Sequence, residues 1–150
     1  MVTFEEISRD NIYDVLALDV SKEQRPLYPC SNAVSIAQGH YPQDDDPVWM
    51  RAICDDGKPV GFIMTSERSS HGEYFIWRIM IDKAHQGAGY GGAAMRLLIE
   101  RIKAIGNPKV LLLSHLKDNA SAANFFRSFG FEYTGTDLGS GDLEMAMRFD

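Results

Sequence analysis

The segment HQGAGYGG, His85 to Gly92, constrains this chain more than any other. Four of its eight residues are glycine, and it joins an apolar run, YFIWRIMID, to a helical one, AAMRLLIERIKAI. Glycines this dense free the backbone for left-handed angles and let another group come close to it. The helical run places Met95, Leu98, Ile99, Ile102 and Ile105 on one face, with Arg96, Glu100, Arg101 and Lys103 on the other. Gly106, Asn107 and Pro108 end it, and KVLLLSHL follows as a short buried strand. A strand, a crossover helix and a second strand make a right-handed parallel unit.

The rest of the chain is arranged around that unit. VTFEEIS reads as an opening strand, and Asp10 as the cap of a helix carrying Ile12, Val15 and Leu16. Ser31 caps a second short helix through Val34, Ile36 and Ala37, which Gly39 ends. VWMRAICDD and PVGFIMTSE flank the turn dipeptide Asp56-Gly57 and form a hairpin. The Tyr74–Asp82 run is the most apolar strand and belongs at the centre of the sheet. Asn119 or Ser121 caps a last helix with Ala122, Phe125, Phe126 and Phe129 inward and Gly130 after its end. FEYTGT and LEMAMRF close the sheet around GSGD. The fold class is α+β, a mixed central sheet flanked by helices on both faces, in one domain over residues 1–150.

Charge and composition narrow the partners. The net charge of −6 argues against nucleic acid and suits a cationic substrate. No run approaches the ~20 apolar residues that span a bilayer, and MVTFEEISRD is no secretory signal. Cys30 and Cys54, far apart and outside any CxxC, read as reduced thiols in a cytoplasmic protein. His40, His71, His85 and His115 have no metal-ligand spacing.

Gly87, Gly89 and Gly92 satisfy the dinucleotide pattern G-x-G-x-x-G. That fingerprint also needs an acid at the end of the next strand, which here ends in Ser114-His115. A Walker A loop needs Gly-Lys-Ser/Thr, and Tyr90-Gly91-Gly92 is not that. What remains is a helix N-terminus opened by glycines, which suits any pyrophosphate, coenzyme A included.

Gln86-Gly87-Ala88-Gly89-Tyr90-Gly91 resembles the acetyl-CoA loop of the GNAT superfamily of N-acetyltransferases. Asn119, Ala122, Phe125, Phe126, Gly130 and Phe131 resemble a second block of that family, in the right order. VSKEQ, SNAVSIAQ, PVGFIM and WRIMIDKAHQGAGYG are similar to a branch described as bacterial spermine/spermidine acetyltransferases. The resemblance implies acetyl-CoA as cosubstrate, no metal, a primary amine such as a polyamine as acceptor, and a homodimer. It implies that the strand before the loop splays from the next one, offering the backbone of Ile79, Met80 and Ile81 to the pantetheine arm. By the same resemblance Gln86 to Gly92, Asn119, Phe125 and Phe126 bind the cofactor.

The sequence departs from the family where chemistry is done. Phe126 stands at the usual tyrosine acid, Trp77 at a usual carboxylate, and Ser114 where others place a carboxylate on the following strand. Ser114 is therefore the catalytic candidate, with Tyr28, Tyr41 or Tyr133 as substitute acids. A catalytically weak acyl-CoA-binding module of the same fold is the alternative function. Several of these residues also have structural readings: a tight turn for the glycines, a cap for Asn119, core for Phe125, Phe129, Trp49 and Trp77. The acidic run Asp44 to Asp46 reads as a solvated loop or a polyamine attractor.

Overall fold

The computed structural model describes residues 1–139 and 141–150; Ser140, within the expected GSGD turn, lies outside them. The elements are β1 (Val2–Glu5), α1 (Ile12–Ala17), α2 (Asn32–His40), β2 (Val48–Asp55), β3 (Lys58–Arg68), β4 (Glu73–Ile81), α3 (Tyr90–Ile105), β5 (Val110–Leu116), α4 (Ala120–Arg127), β6 (Glu132–Asp137) and β7 (Asp142–Arg148). The seven strands form one sheet in the order β1-β2-β3-β4-β5-β7-β6, with the apolar β4 in the middle. Every pairing is antiparallel except β4–β5, the pair that α3 connects.

Period-two alternation sorts the strand side chains onto two faces. Ile53, Ile63, Ile76, Leu113 and Met145 pack against Met95, Leu98 and Ile102 of α3 and Phe126 of α4. Ala52, Phe62, Met64 and Met80 form a separate cluster with Val15 of α1, against which Ile36 of α2 packs. Helices on both faces thus follow from two apolar stripes per strand. The hairpin turn has φ of 48° at Asp56 and 80° at Gly57, as a type I′ turn requires.

Several local expectations are corrected. The α1 cap position is Asn11, not Asp10, and its amide bonds back to Ser8 N–H and Glu6 O instead of capping. Gly39 does not end α2, which continues to His40. Ile105 is 46% exposed, because it is the last residue of α3. Asn119, not Ser121, caps α4, accepting from Ala122 N–H at 3.1 Å.

Two irregularities shape the middle of the sheet. Met64 pairs with Arg78 and Thr65 with Ile76, which leaves Trp77 as the extra residue of a bulge in β4. The parallel pairing of β4 and β5 runs from Glu73–Val110 to Ile76–Leu113 and stops. Beyond it, Trp77 to Ile81 and Ser114 to Leu116 carry no pairing to each other.

Candidate active site

The gap between β4 and β5 organises the site. Asp82 N–H donates to Val60 O at 2.8 Å, so the antiparallel alternation turns Met80 toward β3 and Ile79 and Ile81 toward the gap. Those backbone groups face a cleft of about 530 Å³, lined also by Gly87, Gly89, Gly91, Gly92, Asn119, Phe125 and Phe126. At its end lies the N-terminus of α3, where the first-turn N–H groups of Tyr90, Gly91 and Gly92 have no acceptor within the helix.

The glycine loop is built for close approach. Gly87 and Gly89 have φ of 82° and 85°, and a Cβ at either would meet no atom within 4 Å. Glycine is required there by the backbone angle, and the space above the loop is open. Both features fit the pyrophosphate of a coenzyme A. Ala88 is exposed and lies outside the residues lining the cleft. Tyr90 lines the cleft, and its hydroxyl donates to Asp55 Oδ2 at 2.6 Å.

Gln86 is a positioning residue. Its Nε2 donates to Ile81 O at 2.9 Å and to Gln24 Oε1 at 2.8 Å, and Gln24 Nε2 returns a bond to Gln86 Oε1 at 3.0 Å. The amide pair ties the loop to the turn before α2. Asp82, 8% exposed, fastens the same junction by accepting from Asp19 N–H at 2.8 Å and Ala84 N–H at 3.1 Å. Burial works against its charge, but these donors and His85 outweigh it and hold the carboxyl below its usual range.

A second cavity of about 310 Å³ opens at the gap, lined both by the segment before α2 and by Ile76, Leu113 and Phe126 of the α3/α4-side core. It shares Leu27, Tyr28, Ile79, Asn119, Ala122 and Phe126 with the first, so the two meet at the splay. Its own walls include Cys30, Trp77, Arg78, Ser114 and Asp142. The β4 bulge puts Trp77 and Arg78 together here: Trp77 packs with the α1/α2 cluster, and Arg78 pairs across from Met64 of that cluster. Trp77 is therefore a pocket wall as well as a packing residue. Ser114 lies just past the last β4–β5 pair.

His115 alternates to the other face of β5 from Ser114, yet it too lines the second cavity. It is 7% exposed and its Nε2 lies 2.8 Å from Tyr133 Oη. Tyr41 is 86% exposed, which leaves Tyr28 as the tyrosine among the three candidates that reaches both cavities. Its hydroxyl is buried, with Ser35 the nearest side-chain hydroxyl acting on it, and burial pushes it above the ordinary tyrosine range. Phe126, 8% exposed, packs edge-on against Phe125 and Phe131 at the junction. The acidic run Asp44 to Asp46 lines neither cavity, and Asp46 faces Arg68 at 3.6 Å. Sequence reasoning missed Arg78, Cys30 and Asp142 as pocket residues; only the bulge and the β5–β7 pairing bring them together.

An open strand edge leading to a glycine-freed helix N-terminus, with a second pocket at its far end, defines an acyl-CoA-dependent transferase. The chain belongs to the acetyltransferase (GNAT) family, whose sequence model matches residues 12–131. It is similar to a probable spermine N(1)-acetyltransferase of Bacillus subtilis subsp. natto, 27% identical over 140 residues, covering 89% of this chain and 90% of the relative. A spermine/spermidine N(1)-acetyltransferase of Bacillus subtilis is 26% identical over the same shares. The fold matches a PaiA N-acetyltransferase of Thermoplasma acidophilum in complex with coenzyme A, with a TM-score of 0.72, 12% identity and 99% of each chain covered. Among the described residues no group of three His, Cys, Asp or Glu is placed to hold a metal, and no helix is long and apolar enough to cross a membrane.

Proposed function

We propose that this chain moves an acetyl group from acetyl-CoA directly onto a primary amine held in the pocket between β4, β5 and β7. The observation that supports this best is the meeting of two cavities at the splayed parallel pair, one suited to a donor and one to a small acceptor. Ile79 and Ile81 would pair with the pantetheine amides, and the first turn of α3 would hold the pyrophosphate. Acetyl-CoA supplies the activated carbonyl, so that a C–N bond forms as the C–S bond breaks and a proton leaves the amine. Ser114, at the mouth of the splay, holds the attacking amine or the water that takes that proton. Phe126 has no proton for the thiolate, but a thiol of pKa ~8.5 leaves without full protonation.

Polyamines are the acceptor class named for the two Bacillus relatives, and Asp142 on the pocket wall suits an ammonium group. A second reading, an acyl-CoA-binding module with little turnover, is favoured by Phe126 and Trp77 standing where the family's acid and carboxylate are expected. Acetyl-CoA-dependent thiol release with spermidine, spermine, a lysine peptide and a no-amine control separates them. Amine-dependent release is the expected result. Release at the control level with every amine, glycine, β-alanine and 4-aminobutyrate included, in protein that binds acetyl-CoA by calorimetry, would replace the enzyme with the binding module.

A further inference from the structure

Among the described residues four arginines are part-buried: Arg25, Arg51, Arg78 and Arg101. Arg25 pairs with Asp19, Arg51 with Glu6 at 3.7 Å and Arg101 with Glu67 at 2.7 Å. Arg78 alone has no carboxylate within 4.0 Å. Its guanidinium donates to no carboxylate but to Trp77 O at 2.9 Å, Cys30 Sγ at 3.1 Å and Gln38 Oε1 at 3.3 Å. It also lies 5.8 Å from the centre of the Trp77 ring. These contacts hold the side chain against the wall of the acceptor pocket and leave its charge without a counter-ion.

A part-buried cation with no acid beside it gains when an anion approaches. A carboxylate offers Arg78 charge-assisted hydrogen bonds in place of the Nη2 contacts to Cys30 and Gln38. Asp142, on β7, lines the same pocket and suits an ammonium. The pocket, at about 310 Å³, is at the small end of ligand cavities, and Arg78, Asp142 and His115 all line it. A polycation would bring its second charge against Arg78; a molecule with an amine at one end and a carboxylate at the other would satisfy both.

We propose that the acceptor is a small primary amine that carries a carboxylate, and that Arg78 binds that carboxylate and determines acceptor specificity. The inference rests on the acetyl-transfer reading and narrows its acceptor.

The test is calorimetric titration of the coenzyme A-saturated protein with glycine, β-alanine, 4-aminobutyrate and lysine. The matched alkylamines, 3-aminopropyl phosphate and spermidine are titrated alongside. At least one carboxylated amine should bind tenfold or more tightly than its matched alkylamine. Arg78→Gln should abolish that preference and tighten spermidine binding, while Arg78→Lys keeps part of it. Circular dichroism and acetyl-CoA affinity confirm that both variants are folded. Equal binding by wild type and Arg78→Gln overturns the proposal, as does no binding of any carboxylated amine. Binding of the aminoalkyl phosphate without the carboxylates overturns the carboxylate as the anion. Thiol release is read separately: its absence with every amine overturns the transferase reading, whatever the titrations give.

Discussion

Gly89 serves the site through its backbone angle. Its φ of 85° opens α3, and a Cβ there would meet nothing, so a substitution is strained without being crowded. A β-branched residue held in that region costs on the order of 1–3 kcal/mol. Gly89→Val should therefore raise the acetyl-CoA dissociation constant tenfold or more in a protein whose circular dichroism is unchanged. Unaltered affinity in calorimetry would remove the loop from the donor site. Phe126 poses the converse question, since it sits at the junction of both cavities and offers no proton. Phe126→Tyr is expected to raise kcat severalfold with little change in the KM for acetyl-CoA. A steady-state assay showing no gain would mean that water already supplies the proton. The glycines and Phe126 stood out in the sequence as candidates, and they line the cleft. Arg78 did not, because its importance comes from the carboxylate it lacks, and a missing partner leaves no mark in neighbouring residues.

At the scale of elements, α3 carries the donor loop, and its seating decides where that loop points. Its buried stripe of Ala94, Met95, Leu98 and Ile102 supplies the adhesion. Arg101 supplies the register: both of its terminal nitrogens bond Glu67 of β3, at 2.7 and 3.0 Å, and it lies 3.9 Å from the centre of the Trp49 ring. Glu67, 11% exposed, also accepts from Thr65 Oγ1 at 2.8 Å. Arg101→Met leaves that carboxylate largely buried without its cation. The expected cost is about 2 kcal/mol, less than the loss of a fully buried pair. Urea unfolding should show it as a lower midpoint with an unchanged slope. The helix and the strands on either side of it were readable from periodicity. The bulge at Trp77 was not, because an extra residue in β4 shows only against the register of β3.

At the scale of the whole molecule, the N-terminal third is fastened to the donor loop by few bonds. Asp82 accepts from Asp19 N–H, Lys83 N–H donates to Asp19 O at 2.8 Å, and Gln24 pairs with Gln86. The carboxyl of Asp82 titrates below its ordinary value, so its contribution is complete above the unfolded carboxylate pKa of ~3.9 and is lost as pH falls through the lowered folded value. Asp82→Asn should cost about 1–2 kcal/mol at pH 7, the price of impaired charge-assisted bonds. The wild-type advantage should then shrink below about pH 4. Urea midpoints of both proteins from pH 7 to pH 3 measure this, and parallel curves would mean that Asp82 stabilises nothing through its charge.

The sequence by itself determined the crossover around the glycine loop, the two apolar stripes, the cap at Ser31, and the family. Each of these is written in residues a few positions apart, through side-chain period and permitted backbone angles. The tertiary structure decided where the parallel ladder stops, that Trp77 and Arg78 leave β4 on one face, and that Arg78 meets Cys30 and Gln38 instead of an acid. Those features depend on which distant strands and helices become neighbours, and pairing across 40 or more residues is a property of the packed molecule.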